Sequence, residues 1–180
     1  MARPDHLITL IPAFNEETTI GALVNQIKQR WNCSVVVIDD CSTDATARIA
    51  RDAGATILPL TLQLGAWGAI QTGLRYALHQ GYRTAVTLDA DGQHEPDCIG
   101  ELLKPVLANQ ADVTIGAYPE RASRARRIAW SYFRWLTGLK LEDITSGFRA
   151  YNHAAMTVLA CPEASLLDYQ DVGVLLILRR

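Results

Sequence analysis

The feature that most constrains this chain is a repeated couplet: a short apolar run, then a segment whose apolar residues recur at helical spacing. The runs fall at 7–11, 34–38, 55–60, 84–88 and 111–115. They are too short for helices and lack polar alternation, so they read as strands buried on both faces. Between them, Ile20, Leu23, Val24 and Ile27 mark one helical face, and Ile99, Leu102, Leu103 and Val106 mark another. Helices are also expected from about 43 to 53, stopped by Gly54, and over 66–80, stopped by Gly81. Asn15 is placed to cap the first helix, with Glu16 and Glu17 in its first turn, and Ser42 or Thr43 to cap the second. Pro96 suits the start of the fourth. Strand–helix alternation with short connections and right-handed crossovers predicts a three-layer α/β/α sandwich around a mostly parallel sheet. At 180 residues, 49% hydrophobic and 20% charged, the chain suits a single domain with a substantial core.

Sheets of this kind bind ligands at the carboxyl ends of their strands. Three of the apolar runs end in acidic or amide clusters: Asn15–Glu17, Asp39–Asp44 and Asp89–Gln93. In Asp89-Ala90-Asp91, two carboxylates one residue apart follow a buried strand and can face one cation. Mg²⁺ and Mn²⁺ favour such oxygen ligands and accept phosphate oxygens in their remaining positions, with Gln93 or His94 able to complete the shell. Asp39 and Asp40 end the second strand, where Asp40 can accept a hydrogen bond from a base N–H, while Ser42 and Asp44 fit capping and loop bracing. The segment 11–17 can offer backbone N–H groups to an anion or base.

Several other classes fit less well. No G-x-G-x-x-G follows the first strand, which argues against a Rossmann oxidoreductase. No glycine-rich basic loop stands there either, as a sugar-1-phosphate nucleotidyltransferase would favour, so that class is disfavoured but stays as an alternative. A net charge of −2 does not suggest nucleic acid. Cys33, Cys41, Cys98 and Cys161 form no C-x-x-C pair, so zinc is not indicated, and scattered thiols fit a reducing, cytoplasmic compartment. The chain opens without a signal peptide, and the apolar run 172–178 is too short to span a bilayer. It ends at Arg180 without a helix cap, which suggests a longer parent.

Together these stretches resemble glycosyltransferase family 2, of the GT-A fold, and within it the dolichyl- or polyprenyl-phosphate sugar synthases. The likeness runs through Pro12–Glu17, Val37–Asp44, Leu64–Gly73, Asp89–His94 and Asp143–Tyr151. It implies a nucleotide-sugar site bordered by Pro12, Phe14, Asn15, Glu16, Asp39, Ala90 and Gly68, with Asp40 on the base. It places a divalent metal, Mg²⁺ or Mn²⁺, on Asp89, Asp91 and Gln93. Gly65, Gly68 and Gly73 would allow close backbone approach. Residues 1–115 would form the nucleotide-sugar half of one domain and 116–180 the acceptor half.

Three departures bear on donor choice and turnover. Trp67 stands where relatives often carry a basic side chain. Ala117 stands where an arginine is common, a role Arg121 or Arg124 can take toward the donor phosphates. Gln170-Asp171 replaces a common Glu-Asp pair. These departures and the end at Arg180 motivate an alternative, a nucleotide-binding homologue without turnover.

The implied reaction transfers sugar from a UDP- or GDP-linked donor with inversion, and the acceptor decides whether a base is needed. A lipid phosphate with a second pKa near ~6 is already anionic at pH 7, whereas a glycan hydroxyl must lose a proton. Asp143 and Asp171 are candidate catalytic bases beside Asp91, though Asp143 can equally pair with Arg149. Arg126, Arg127, Ser146 and Arg149 are the candidate acceptor contacts. The segment 121–139 interleaves five arginines with Trp130, Tyr132, Phe133 and Trp135. It suits peripheral contact with the cytoplasmic face of a membrane, an acceptor phosphate, or a helix with buried aromatics and solvated arginines.

Overall fold

In a computed structural model of the protein, the described residues are 6–91, 96–116 and 146–166. Strand β1 (Leu7–Ala13) is followed by α1 (Ile20–Arg30), β2 (Ser34–Asp39), α2 (Thr46–Asp52), β3 (Thr56–Pro59) and α3 (Gly65–His79). Strand β4 (Thr84–Thr87) comes next, then a 3₁₀ turn (Pro96–Cys98) running into α4 (Ile99–Leu107), and β5 (Val113–Ile115). Strand β6 (Arg149–Asn152), α5 (His153–Leu159) and a second 3₁₀ turn (Pro162–Leu166) complete the described chain.

The six strands form one sheet in the order β3-β2-β1-β4-β6-β5. β1 pairs in parallel with β2 and β4, and β2 with β3. The expected series ran on in parallel to β5, but β6, a strand the apolar pattern does not reveal, lies between β4 and β5 and is antiparallel to both. The crossover through α4 leaves a one-strand gap, and the later chain returns to fill it.

Alternation along the strands divides the core in two. Ile11, Val35, Val37, Val86 and Leu88 face the inner stripes of α1 and α4, with Ile20, Leu23, Val24, Ile27, Ile99, Leu102, Leu103 and Val106 all buried. Ile8, Leu10, Val36, Ile38 and Ala85 face α3 and α5, meeting Ile70, Leu74, Ala77 and Met156. Each such aliphatic side chain contributes about 1.5–3 kcal/mol on full burial. Helix α3 lies close on the sheet because Gly73 has no side chain: a Cβ there would stand 3.0 Å from Ile38 and 3.1 Å from Leu10. Among the described residues no helix is long and apolar enough to cross a membrane.

The helix starts differ from the expected caps. α1 begins at Ile20, not after Asn15, and no side chain caps it. α2 begins at Thr46, beyond Ser42 and Thr43. The polar residues of these loops bond to each other instead. Asn15, at φ 55°, accepts the Thr43 N–H on its side-chain oxygen (2.9 Å), and its own N–H donates to Ser42 Oγ (3.0 Å). Glu16 N–H donates to Thr46 Oγ1 (2.7 Å), and Glu17 accepts the Ala45 N–H (3.0 Å). Asp44 accepts the Thr46 N–H at 2.9 Å and the Glu17 N–H at 3.2 Å. The β1–α1 and β2–α2 loops thus satisfy each other's orphan groups, as capping side chains would have done.

Candidate functional site

The laced loops form one wall of a cleft at the carboxyl edge of the sheet. Its volume is about 210 Å³, and Pro12, Ala13, Phe14, Glu16, Asp40, Ala66, Asp89, Ala90 and Asp91 line it. The ends of β1, β2 and β4 and the start of α3 all open into it. Seven residues expected near a nucleotide sugar or its metal are therefore gathered here: Pro12, Phe14, Glu16, Asp40, Asp89, Ala90 and Asp91. Ala13 and Ala66 are further lining residues, inside the family-like stretches but without a side-chain chemistry that would single them out.

Other candidates stand nearby without lining the cleft. Asn15 lies in the loop beside it, committed to Thr43. Asp39 is 7% exposed and accepts the Ser42 N–H at 3.2 Å, so it closes the β2–α2 turn. Gly68 makes room for Leu64, whose Cβ would lie 2.6 Å from any Cβ added there. Gln93, Arg121, Arg124, Arg126, Arg127, Asp143 and Asp171 lie outside the described residues, as do Ala117, Gln170 and the segment 117–145.

Asp40 is 4% exposed and holds the opposite wall in place. Its two carboxylate oxygens accept the N–H groups of Leu64 (2.7 Å) and Gly65 (2.9 Å), the residues leading into α3. Its own N–H donates to Ala13 O at 2.8 Å, extending the β1–β2 ladder to the cleft floor. Among the described residues no group of three or more His, Cys, Asp or Glu side chains is arranged to hold a metal ion. Four carboxylates line the cleft, those of Glu16, Asp40, Asp89 and Asp91, and oxygen ligands are the type that Mg²⁺ and Mn²⁺ favour.

Trp67 does not face the cleft. It is 3% exposed, packs with Ile70 and Leu74, and donates its indole N–H to Ala164 O at 2.9 Å. One turn on, Gln71 donates to Leu159 O at 2.9 Å, and Arg75 donates to Ala160 O at 2.9 Å. This stripe of α3 satisfies carbonyls at and beyond the end of α5. Ser146 (8% exposed) and Arg149 (0%), expected on the acceptor side, are also interior. Arg149 Nε donates to Ser146 O at 2.9 Å. Burial pushes the neighbouring Tyr151 phenol above its ordinary range, with the Arg149 charge opposing and the Asp89 charge adding to the rise.

The family model for glycosyl transferase family 2 matches residues 9–159. The chain belongs to that family. Among its relatives, an undecaprenyl-phosphate mannosyltransferase of Micrococcus luteus is 34% identical over 164 residues, covering 81% of this chain and 65% of the relative. A polyprenol monophosphomannose synthase of Mycolicibacterium smegmatis is 29% identical, covering 83% and 62%. These likenesses place the family member beside the polyprenyl-phosphate sugar synthases. The chain spans less than two thirds of the length of both. A glucosyl-3-phosphoglycerate synthase from Mycobacterium tuberculosis, solved with Mn²⁺, UDP-glucose and phosphoglyceric acid, shares the fold with a TM-score of 0.69 at 24% identity. That match covers 84% of this chain and 58% of the solved one.

Proposed function

We propose that this family 2 domain transfers a sugar from a UDP- or GDP-linked donor to a polyprenyl phosphate, with Mg²⁺ or Mn²⁺ at Asp89 and Asp91. The observation that carries this reading is the cleft where Asp40, Asp89, Asp91, Glu16 and Phe14 meet at the sheet's carboxyl edge. The relatives named for polyprenyl-phosphate acceptors and the solved relatives containing Mn²⁺ or Mg²⁺ with UDP support it.

In this reading Phe14, 43% exposed at the cleft mouth, offers a flat apolar face to the base, and the ordered walls fix where the diphosphate lies. Asp89, Asp91 and Gln93 would hold the cation, which would supply positive charge to offset that developing on the leaving diphosphate. Arg121 and Arg124 meet the donor phosphates, while Arg126 and Arg127 meet the acceptor. A phosphate acceptor is already anionic at pH 7, its second pKa being about 6, and attacks without a protein base. Asp143 or Asp171 would serve as base only for a hydroxyl acceptor. Residues 1–115 carry the donor half and 116–180 the acceptor half, working at the cytoplasmic face of a membrane.

The test is thermal stability with UDP, GDP, CMP, TMP and ADP, each with Mn²⁺ and again with excess EDTA. A ligand at a hundredfold excess over its Kd adds about 2.7 kcal/mol. One nucleoside diphosphate should stabilise the protein with Mn²⁺, and Asp91→Ala should abolish that gain. No stabilisation by any of the five overturns the proposal.

A further inference from the structure

The turn entering β6 lies directly against the Asp89 carboxylate. A Cβ added to Gly147 would overlap both carboxylate oxygens of Asp89 and their carbon, so only a glycine lets the main chain pack there. Three hydrogen bonds fix the turn in that position. Thr87 Oγ1, wholly buried, donates to Gly147 O at 2.7 Å. Phe148 N–H donates to Ser146 Oγ at 3.2 Å, and Arg149 Nε donates back to Ser146 O at 2.9 Å. Thr87 and Arg149 are also register partners across β4 and β6, so the sheet itself sets the height of the turn beside Asp89.

We propose that the Ser146-Gly147-Phe148 turn, locked by Thr87 and Arg149, is the positioning element of Asp89 and sets the direction in which its carboxylate meets a divalent cation. The inference rests on the metal reading of Asp89 and Asp91 above. It assigns Ser146, Gly147 and Arg149 to the donor side of the reaction through Asp89, in place of contact with the acceptor.

The physical case is one of freedom removed. An aspartate side chain has two torsions, and a ligating carboxylate must be held within about 0.5 Å of its productive position. The main chain at Gly147 blocks one side of Asp89 without adding a competing polar side chain. Arg149 is a guanidinium with no solvent exposure, a costly placement unless its donors are directed at specific acceptors. One of those acceptors is the carbonyl that opens this turn. Groups that orient metal ligands in this way typically change metal affinity 10–100-fold when altered.

The experiment measures Mn²⁺ uptake from the loss of the free-ion EPR signal, with UDP or GDP present, in the wild type, Gly147→Ala, Thr87→Val and Ile27→Val. Ile27 lies in the buried face of α1 away from the cleft, so its variant reports plain loss of stability. Gly147→Ala and Thr87→Val should weaken Mn²⁺ binding about 10–100-fold, while Ile27→Val leaves it unchanged. Should Gly147→Ala not fold, Thr87→Val decides, since it removes one hydroxyl and keeps the side-chain shape. Mn²⁺ affinity within twofold of the wild type in either folded variant overturns the inference and leaves the metal reading standing. A wild type that takes up no Mn²⁺ with either nucleotide overturns both.

Discussion

Replacing Asp40 by Asn isolates the contribution of a single carboxylate to the cleft at the sheet's carboxyl edge. In the native protein each oxygen accepts one backbone N–H, from Leu64 at 2.7 Å and from Gly65 at 2.9 Å, in a site 4% exposed. Asparagine keeps one acceptor and turns an NH₂ toward the other N–H. One hydrogen bond to a charged group is lost, worth about 1.5–3 kcal/mol, and one buried donor is left facing another, at about 1–3 kcal/mol. Neutralising Asp40 also relieves repulsion with the adjacent, largely buried Asp39, which offsets part of the loss. The net expectation is a destabilisation of about 2–4 kcal/mol. For a chain of this length that corresponds to a fall in Tm of about 5–12 °C. Urea unfolding with linear extrapolation measures it, and an unchanged m-value shows that the folded state remains compact. Nucleotide affinity should fall in parallel, because Ala66, next to the released Gly65, lines the cleft. A variant within about 0.5 kcal/mol of the wild type, the size of an ordinary surface change, would refute the clamp. Weaker nucleotide binding with that stability retained would make Asp40 a direct contact of the base.

Two further outcomes are expected. Trp67→Phe should cost about 2–4 kcal/mol, from the indole volume and the stranded Ala164 carbonyl, yet leave nucleotide Kd nearly unchanged; a tenfold weaker Kd at normal stability would return Trp67 to the donor site. Asp44 is partly desolvated, which alone would raise its pKa, but hydrogen bonds from Thr46 and Glu17 hold its carboxyl below the ordinary value. A pKa depressed on folding gives stability that is fully present above about pH 4 and lost as pH falls through the folded value. Stability measured against pH should therefore drop in acid, and Asp44→Asn should flatten part of that drop; an identical acid slope in the variant would refute the assignment.

How far the cleft was legible depended on how local its determinants are. Asp89 and Asp91 follow a buried strand directly, so their arrival at the sheet edge needed only the strand assignment and the rule for parallel sheets. The same holds for Phe14 and Glu16 after β1. Asn15, Ser42 and Thr43 looked like helix caps because a capping side chain and a loop-bracing side chain have the same chemistry. The difference is whether the nearest orphan N–H belongs to the same helix or to a loop 27 or 28 residues away. Trp67 looked like a substitution in a ligand loop, and its burial follows from α3 packing on the carbonyls after α5.

The sequence by itself determined the layered α/β plan, four of the five apolar strands as parallel neighbours, the inner faces of α1 and α4, and the acidic edge of the sheet. Each of these follows from residue periodicity or from the direction in which a buried strand ends. Tertiary structure alone decided that β6 enters antiparallel between β4 and β5. It also decided that Asp40 braces the start of α3, and that Gly147 packs against the Asp89 carboxylate. Those contacts join residues 24 to 68 positions apart. No local pattern encodes such pairings, because the free energy that selects them comes from filling the one gap in the sheet and satisfying buried polar groups that exist only once the other strands are in place.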